Sequence, residues 1–158
     1  MLSVQRIRAL LPHRYPMLLV DRVVEAVPGE RLVARKAVTV NEPCYADVAD
    51  DTDPRYPASL LVESWGQSAA LLAALGGERA GGFGDKVLLF GSMAGAEFHG
   101  DVHPGDVLEH HVSLSREAGD TLLFEGHTEV SGNRVFELER AVLALRPSEG
   151  VLGRPAGM

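Results

Sequence analysis

The pattern of hydrophobic and polar positions predicts one long helix that is apolar on nearly all of its faces. It begins near Pro57, a residue suited to the first turn of a helix, and runs to about Leu75 before stopping at Gly76-Gly77. Only one residue of this stretch is charged, Glu63. A helix of this kind is covered by other structure on several sides, so we expect a sheet to wrap it.

Short β-rich runs on both sides of the helix predict an antiparallel sheet. Each run is bounded by a turn signal, such as Pro28-Gly29 or Gly132-Asn133, and residues 3–10 have the spacing of a short amphipathic helix. The predicted strands are Met17 to Val27, Arg31 to Val40, Lys86 to Phe98, Val107 to Glu117, Thr121 to Ser131 and Val135 to Leu145. The fold class is therefore α+β, an antiparallel sheet around one central helix. We expect a single domain over residues 1–146 and a flexible tail at 147–158.

Length and composition are those of one soluble globular domain. The chain has 158 residues, of which 46% are hydrophobic and 23% charged. Its single cysteine, Cys44, cannot form an internal disulfide, and the N-terminal residues lack the apolar core of a secretory signal, so we expect a reducing cytoplasm. The formal net charge of -7 and the scattered basic residues argue against nucleic acid. No stretch is apolar enough to suggest a membrane span.

Glu63 is the first candidate for chemistry, because burying a carboxylate costs several kcal/mol unless it is paired or protonated. Gln67 lies four residues further on, on the same helix face, where its amide can bond and orient the carboxyl group. Ala70 and Ala74 continue this face with small side chains that leave room for a ligand. The set predicts a poised acid or base. The alternative is a glutamate that faces solvent or the positive end of the helix dipole.

Residues 41–57 predict a long irregular loop with an acidic run. Its aspartates, which carry the oxygen ligands that hard cations prefer, are Asp47, Asp50, Asp51 and Asp53. The run matches no calcium loop, because a glycine turn and a late glutamate are missing. We therefore predict a solvated loop and no metal site.

The histidines and the cysteine give no metal or nucleophile pattern. His110 and His111 are neighbours in a predicted strand, so they point to opposite faces and cannot hold one ion together. His13 and His127 are isolated, and a lone histidine is more often a structural hydrogen-bonding residue than a catalyst. Cys44 is a weak candidate, because the nearest charges are acidic and raise the pKa of a thiol.

Several segments match a known family in order along nearly the whole chain. Residues 11–23 read LPHRYPMLLVDRV, residues 38–43 read VTVNEP and residues 104–106 read PGD, while Glu63 and Gln67 form a Glu-x-x-x-Gln helix motif. On these segments the chain resembles the FabZ-type β-hydroxyacyl-(acyl carrier protein) dehydratases of the hotdog fold. The resemblance implies a dehydratase of fatty acid or polyketide-type synthesis.

The family resemblance also implies a substrate and an arrangement of subunits. The substrate is a β-hydroxyacyl thioester on a phosphopantetheine arm, dehydrated to a trans-2-enoyl thioester without a metal or redox cofactor. In the family a loop histidine removes the α-proton, and a helix glutamate of the other subunit, matched here by Glu63 with Gln67, protonates the leaving hydroxyl. In the family a backbone amide at the helix start polarises the thioester carbonyl, and Ala58 stands at this position here. Ala70 and Phe90 are the expected acyl-site residues.

One family residue is absent. Where the family has Gly-His-Phe-Pro, this chain reads ADVAD at residues 46–50, and Asp47 is the candidate replacement base. Three hypotheses follow: a histidine-lacking subunit that pairs with a paralogous dehydratase chain, an enzyme acting alone through Asp47, and a non-catalytic acyl-thioester or carrier-protein binding protein. A thioesterase is less favoured, because the segments match dehydratase signatures.

The resemblance implies docking of an acyl carrier protein or a CoA thioester, and assembly as a homodimer, a heterodimer or a larger oligomer. An acidic carrier is repelled by the chain as a whole, so its docking requires a local basic patch. The candidate residues for this patch are Arg6, Arg8, Arg14 and Arg79.

Overall fold

A computed structural model describes residues 1–49, 51–76 and 85–151, and it has one antiparallel sheet with a long helix packed against it. The strands are β1 (Arg22–Val27), β2 (Arg31–Ala37), β3 (Lys86–Phe98), β4 (Val107–Ala118), β5 (Thr121–Val130) and β6 (Asn133–Pro147). The helices are α1 (Val4–Leu10), α2 (Ala58–Gly76) and the short α3 (Ser148–Val151), with a 3-10 turn at Pro43–Tyr45. The strand order is β1-β2-β4-β5-β6-β3, and the predicted α+β class is confirmed.

The central helix α2 lies where the sequence predicts it. The N–H groups of Leu60 and Leu61 donate to the carbonyl of Pro57 at 2.9 and 3.1 Å, so Pro57 closes the first turn. The helix packs on β2 and β4. Its largest fully buried side chains are Trp65, Leu71 and Leu72. Each such burial contributes about 1.5–3 kcal/mol, so packing rather than intrinsic propensity stabilises the helix.

The first strand begins later than predicted, at Arg22 instead of Met17. Residues 17–19 are attached to α2, because Gln67 accepts from the Leu19 N–H at 2.9 Å and donates to the Met17 carbonyl at 2.7 Å. The Ser64 hydroxyl donates to the Leu19 carbonyl at 2.6 Å. Since helix side chains occupy these backbone groups, the segment is not a strand; Leu19 is buried, whereas Met17 is exposed.

Other element ends differ by a few residues. The second strand stops at Ala37 instead of Val40, because Glu42 accepts from the Thr39 N–H at 3.0 Å and begins a turn. The last strand continues to Pro147, which pairs with Lys86 of β3. The predicted tail therefore begins with paired backbone and the short helix α3, and residues 152–158 lie outside the described residues.

The irregular segment at residues 41–57 contacts the rest of the fold at both ends, through a buried ion pair at Glu42 and a backbone hydrogen bond at Tyr56. Lys36 of β2 lies 3.0 Å from Glu42, and both side chains are largely buried. The Lys36 ammonium also lies 5.6 Å from the centre of the Tyr56 ring. The Tyr56 N–H donates to the carbonyl of Val102 at 2.7 Å. These contacts fix the point at which α2 begins.

Candidate active site

Glu63 and Gln67 lie side by side on α2, as their spacing predicts. The Gln67 amide nitrogen donates to Glu63 Oε1 at 2.9 Å. Gln67 is 1% exposed, whereas the Glu63 side chain is 40% exposed. Gln67 uses its carbonyl on Leu19 and both N–H groups on Met17 and Glu63, so all parts of the amide are engaged and its orientation is fixed.

His13 lies beside the same carboxylate, an arrangement that the sequence analysis does not predict. Its Nε2 is 3.4 Å from Glu63 Oε1, and its Nδ1 is buried with no hydrogen-bond partner among the described residues. A proton on Nδ1 would leave a buried N–H unsatisfied, at a cost of about 1–3 kcal/mol. Of the two ring nitrogens, Nε2 is the one that contacts the Glu63 carboxylate.

Both donors approach one oxygen of Glu63. The hydrogen bond from His13 has the largest effect and lowers the pKa of Glu63, partial burial opposes it, and the bond from Gln67 lowers the pKa further. Glu63 is therefore a carboxylate at neutral pH. Its second oxygen, Oε2, makes no hydrogen bond with any described residue.

A cleft of about 210 Å³ lies next to this carboxylate. The residues that line it are His13, Glu63, Gly66, Gln67, Ala70, Leu88, Leu89, Phe90 and Leu143. The structure thus brings together four predicted site residues, Glu63, Gln67, Ala70 and Phe90. The Phe90 ring packs over Gly66, where an added Cβ would lie 3.8 Å from the ring. One end of the cleft is polar and its wall is apolar, which suits a chain with a polar reacting end.

Asp47 and Ala58 do not line this cleft. Asp47 is exposed in the loop after the 3-10 turn, and Ala58 is exposed at the first position of α2. In a site shared between subunits, as the resemblance implies, a loop residue faces the helix of the other subunit. The predicted roles of both residues therefore stay predictions.

A buried polar chain fixes the part of α2 next to Glu63. Ser64 Oγ lies 2.7 Å from His110 Nε2, and His110 Nδ1 lies 2.8 Å from the Thr128 hydroxyl. Because the single hydroxyl hydrogen of Ser64 goes to the Leu19 carbonyl, His110 Nε2–H donates to Ser64 and Thr128 donates to His110. Burial lowers the pKa of His110 to about 3, so the ring is neutral. This serine–histidine contact is fully buried and holds the helix to the sheet.

A pair of stacked histidines lies on the face of the sheet opposite His110. His111 and His127 are register partners of β4 and β5 and stack with ring centres 4.6 Å apart and planes 8° apart. As predicted, His110 and His111 face opposite sides. The ligand atoms of His111, His127 and Glu129 lie within 4.8 Å of one another. Because the stacked rings are almost parallel, their in-plane lone pairs do not converge on one ion.

The remaining candidates behave as ordinary surface or structural groups. Burial and the nearby Glu42 raise the pKa of Cys44, which agrees with its predicted weakness as a nucleophile. Asp53 bonds Arg55 at 2.7 Å and His103 at 2.9 Å, as expected of a solvated loop. Asp50 and Arg79 lie outside the described residues. None of the described helices is long and apolar enough to cross a membrane.

Comparison with known proteins identifies the family. Residues 11–139 match the FabA-like domain family. The chain is 39% identical over 141 residues to a 3-hydroxyacyl-[acyl-carrier-protein] dehydratase FabZ from a Nitratiruptor species, covering 88% of this chain and 95% of that protein. It is 46% identical over 116 residues to the FabZ of Chloroflexus aggregans, covering 73% and 77%. The chain belongs to the FabA-like family, and its resemblance to the FabZ-type dehydratases is confirmed.

Solved structures confirm the fold. The dehydratase heterocomplex ApeI:P from Xenorhabdus doucetiae matches with a TM-score of 0.73 at 15% identity, covering 98% of this chain and 99% of that one. The Thermus thermophilus protein TTHA0967, a thioesterase superfamily member, matches with a TM-score of 0.61 at 13% identity, covering 82% and 90%. At these identities the matches establish the shared architecture alone.

Proposed function

We propose that this chain is a 3-hydroxyacyl-thioester dehydratase, which removes water from a β-hydroxyacyl group to give a trans-2-enoyl thioester. The observation that carries the proposal is the Glu63 carboxylate, oriented by Gln67 at the polar end of an apolar cleft. Related proteins named 3-hydroxyacyl-[acyl-carrier-protein] dehydratase support it. The elimination needs only proton transfers, so we propose no cofactor beyond the phosphopantetheine arm that carries the substrate.

The cleft supports a simple placement of this substrate. Its apolar wall, formed by Leu88, Leu89, Phe90 and Leu143, takes the alkyl chain. The reacting carbons then lie at the polar end beside Glu63, where a positioned acid or base contributes about 10²–10⁴ in rate. The small side chain of Ala70, on the helix side of the cleft, leaves room for this alkyl chain.

A basic groove formed by α1 and the segment after His13 suits an acidic carrier protein. A groove of about 550 Å³ is lined by Arg8 of α1 and by Arg14, Tyr15, Pro16 and Leu18, which follow His13 in sequence. The Arg14 guanidinium donates to the carbonyls of Leu11 at 2.8 Å and Arg8 at 3.0 Å, so its charge is held in place. We propose this groove as the docking site for the carrier, while a CoA thioester needs the cleft alone.

The open edge of the sheet suits a second subunit. Strand β3 lies at the edge, and its exposed apolar side chains are Leu89, Phe90, Met93 and Phe98. An apolar edge strand is a template for pairing with another chain. Since Leu89 and Phe90 also line the cleft, a partner on this edge would complete its wall. We propose a dimer, of two copies or with a paralogous subunit.

A second candidate function follows from the absence of histidine in residues 41–57. If the site is shared, this chain contributes Glu63 to an active site whose base belongs to a paralogous partner. A non-catalytic acyl-thioester binding protein would keep the cleft, but it leaves the orientation of Glu63 by Gln67 without a purpose. The cytoplasm, favoured by the single cysteine, remains the expected compartment.

The test is formation of enoyl thioester from a β-hydroxyacyl thioester by the purified chain, compared with its Glu63→Gln variant. We expect turnover by the wild type and loss of at least about 10²-fold in the variant. The exposed Glu117→Gln is the matched control and should leave the rate unchanged. Turnover that appears only after a paralogous subunit is added supports the second candidate. Binding of the thioester with no turnover in either setting contradicts both.

A further inference from the structure

The two oxygens of the Glu63 carboxylate have different surroundings. Oε1 lies 2.9 Å from the Gln67 amide nitrogen and 3.4 Å from His13 Nε2. Oε2 has no hydrogen-bond partner in the part of the chain that the structure describes. A carboxylate held by one oxygen presents the other to a molecule in the cleft, which Glu63 itself lines.

We propose that Glu63 Oε2 carries out both proton transfers, first as the base at the α-carbon and then as the acid at the leaving hydroxyl, and that His13 is a positioning residue that holds Oε1. The inference rests on the proposed dehydratase function and deepens it. It differs from the roles implied by the family resemblance, in which this glutamate serves only as the acid.

The proposed step balances within the cleft. The Cα–H bond breaks and its proton passes to Oε2, while the electron pair forms the new Cα=Cβ bond. The Cβ–O bond breaks with its electron pair on oxygen, and the departing hydroxyl takes the proton back from Oε2 to leave as water. Glu63 returns to the carboxylate form, so no second base and no external proton are required.

The surroundings of Glu63 favour the base role. Donors on Oε1 stabilise the ionised form, and His13 and Gln67 together hold the pKa of Glu63 below its ordinary value. His13 does not reach the substrate, because its Nε2 faces the Glu63 carboxylate and its Nδ1 is buried. The other described residues that line the cleft have no acid or base on their side chains.

The pH dependence of the reaction separates the two roles. Among the described residues of the cleft, only His13 and Gln67 offer polar groups to Glu63; the walls from β3 and β6 are apolar. A base must be ionised, so kcat/KM should rise through a pKa below the ordinary carboxyl range and stay level toward neutral pH. An acid must be protonated, so a glutamate acting only as acid would lose activity across the same range.

The experiment measures kcat/KM for enoyl formation between about pH 3 and 8, a span that includes the carboxyl range, in the wild type, His13→Gln and His13→Leu. The glutamine amide keeps a donor toward Oε1 and should preserve rate and profile. The leucine removes the donor and should lower kcat by about tenfold, with KM little changed. The acid limb of the kcat/KM profile should move to higher pH. A ¹³C titration of the Glu63 carboxyl should show the same upward shift. If His13 only stabilises the fold, neither the acid limb of the kcat/KM profile nor the ¹³C titration of Glu63 should shift in His13→Leu.

The results that would overturn the inference differ from the result that would remove the proposed function. Turnover that falls as pH rises through the Glu63 pKa, or that Asp47→Asn abolishes, overturns the inference and leaves the dehydratase function intact. Turnover only in the presence of a paralogous subunit does the same. Absence of turnover in every setting, with the chain folded, removes the proposed function itself.

Discussion

His13 Nε2 and Glu63 Oε1 lie 3.4 Å apart, although the two residues belong to distant parts of the chain. The contact exists because Gln67 attaches residues 17–19 to α2 and thereby fixes the segment that carries His13. One glutamine thus orients the carboxylate directly and its histidine neighbour through the backbone.

Replacing Gln67 by Leu should therefore damage both stability and activity. The change leaves the buried Leu19 N–H without its acceptor, which costs about 1–3 kcal/mol, and it releases the Glu63 carboxylate. Urea unfolding should show the lost stability, and kcat should fall by at least about tenfold at a temperature where the variant is folded. Gln5→Leu, on the exposed side of α1, is the matched control. Full activity in Gln67→Leu would show that catalysis does not require Gln67 to orient Glu63.

His110 should make stability depend on pH. Burial lowers its pKa to about 3 in the folded state, whereas the ordinary value is 6.5. The unfolded chain therefore binds a proton that the folded chain excludes, so stability decreases as pH falls below about 6.5, by at most about 1.4 kcal/mol per pH unit. Urea unfolding at pH 7 and pH 5 measures the slope. His110→Asn should be less stable at pH 7 and should lose this part of the slope; an unchanged slope would contradict the buried neutral ring.

Ala70 should limit the length of the acyl chain. Ala70 lines the cleft and is 8% exposed, so a leucine in its place fills the space available to the substrate. We expect Ala70→Leu to raise KM for long acyl thioesters by about tenfold or more while short ones are still dehydrated. The exposed Ala118→Leu provides the control. An equal loss for all chain lengths would indicate a general disturbance of α2.

Arg8 should matter for a protein-bound substrate alone. Reversing its charge with Arg8→Glu places a repulsive group in the groove beside Arg14. We expect KM for the carrier-bound substrate to rise by about tenfold at low salt, with a smaller effect at high salt. The same acyl group on CoA should react unchanged, and the exposed Arg116→Glu should affect neither substrate. An equal rise in KM for the CoA substrate would contradict a role of Arg8 in carrier docking alone.

Local patterns predicted the elements well. The uncharged run up to Leu75 and the turn signals are short-range features, and α2 and the strands follow them closely. The predicted start of the first strand is wrong, because residues 17–19 have a strand-like apolar composition while their backbone groups bond the Gln67 side chain. The i, i+4 contact between Glu63 and Gln67 was predictable from helix geometry alone.

The contacts that the sequence did not reveal depend on tertiary structure. His13 reaches Glu63 only through the attachment of the intervening chain to α2. The stacking of His111 on His127 depends on the register of β4 and β5, which no single strand encodes. Both His13 and His127 were isolated in sequence, and the only signal for His13 was its place in the LPHRYP segment.

The most direct test of a catalytic Glu63 is the initial rate of enoyl-thioester formation by the purified chain alone, with Glu63→Gln measured beside it. We expect steady turnover by the wild type and a loss of at least about 10²-fold in the variant, with both proteins folded to the same extent. Equal rates in the two proteins would contradict a catalytic role for Glu63.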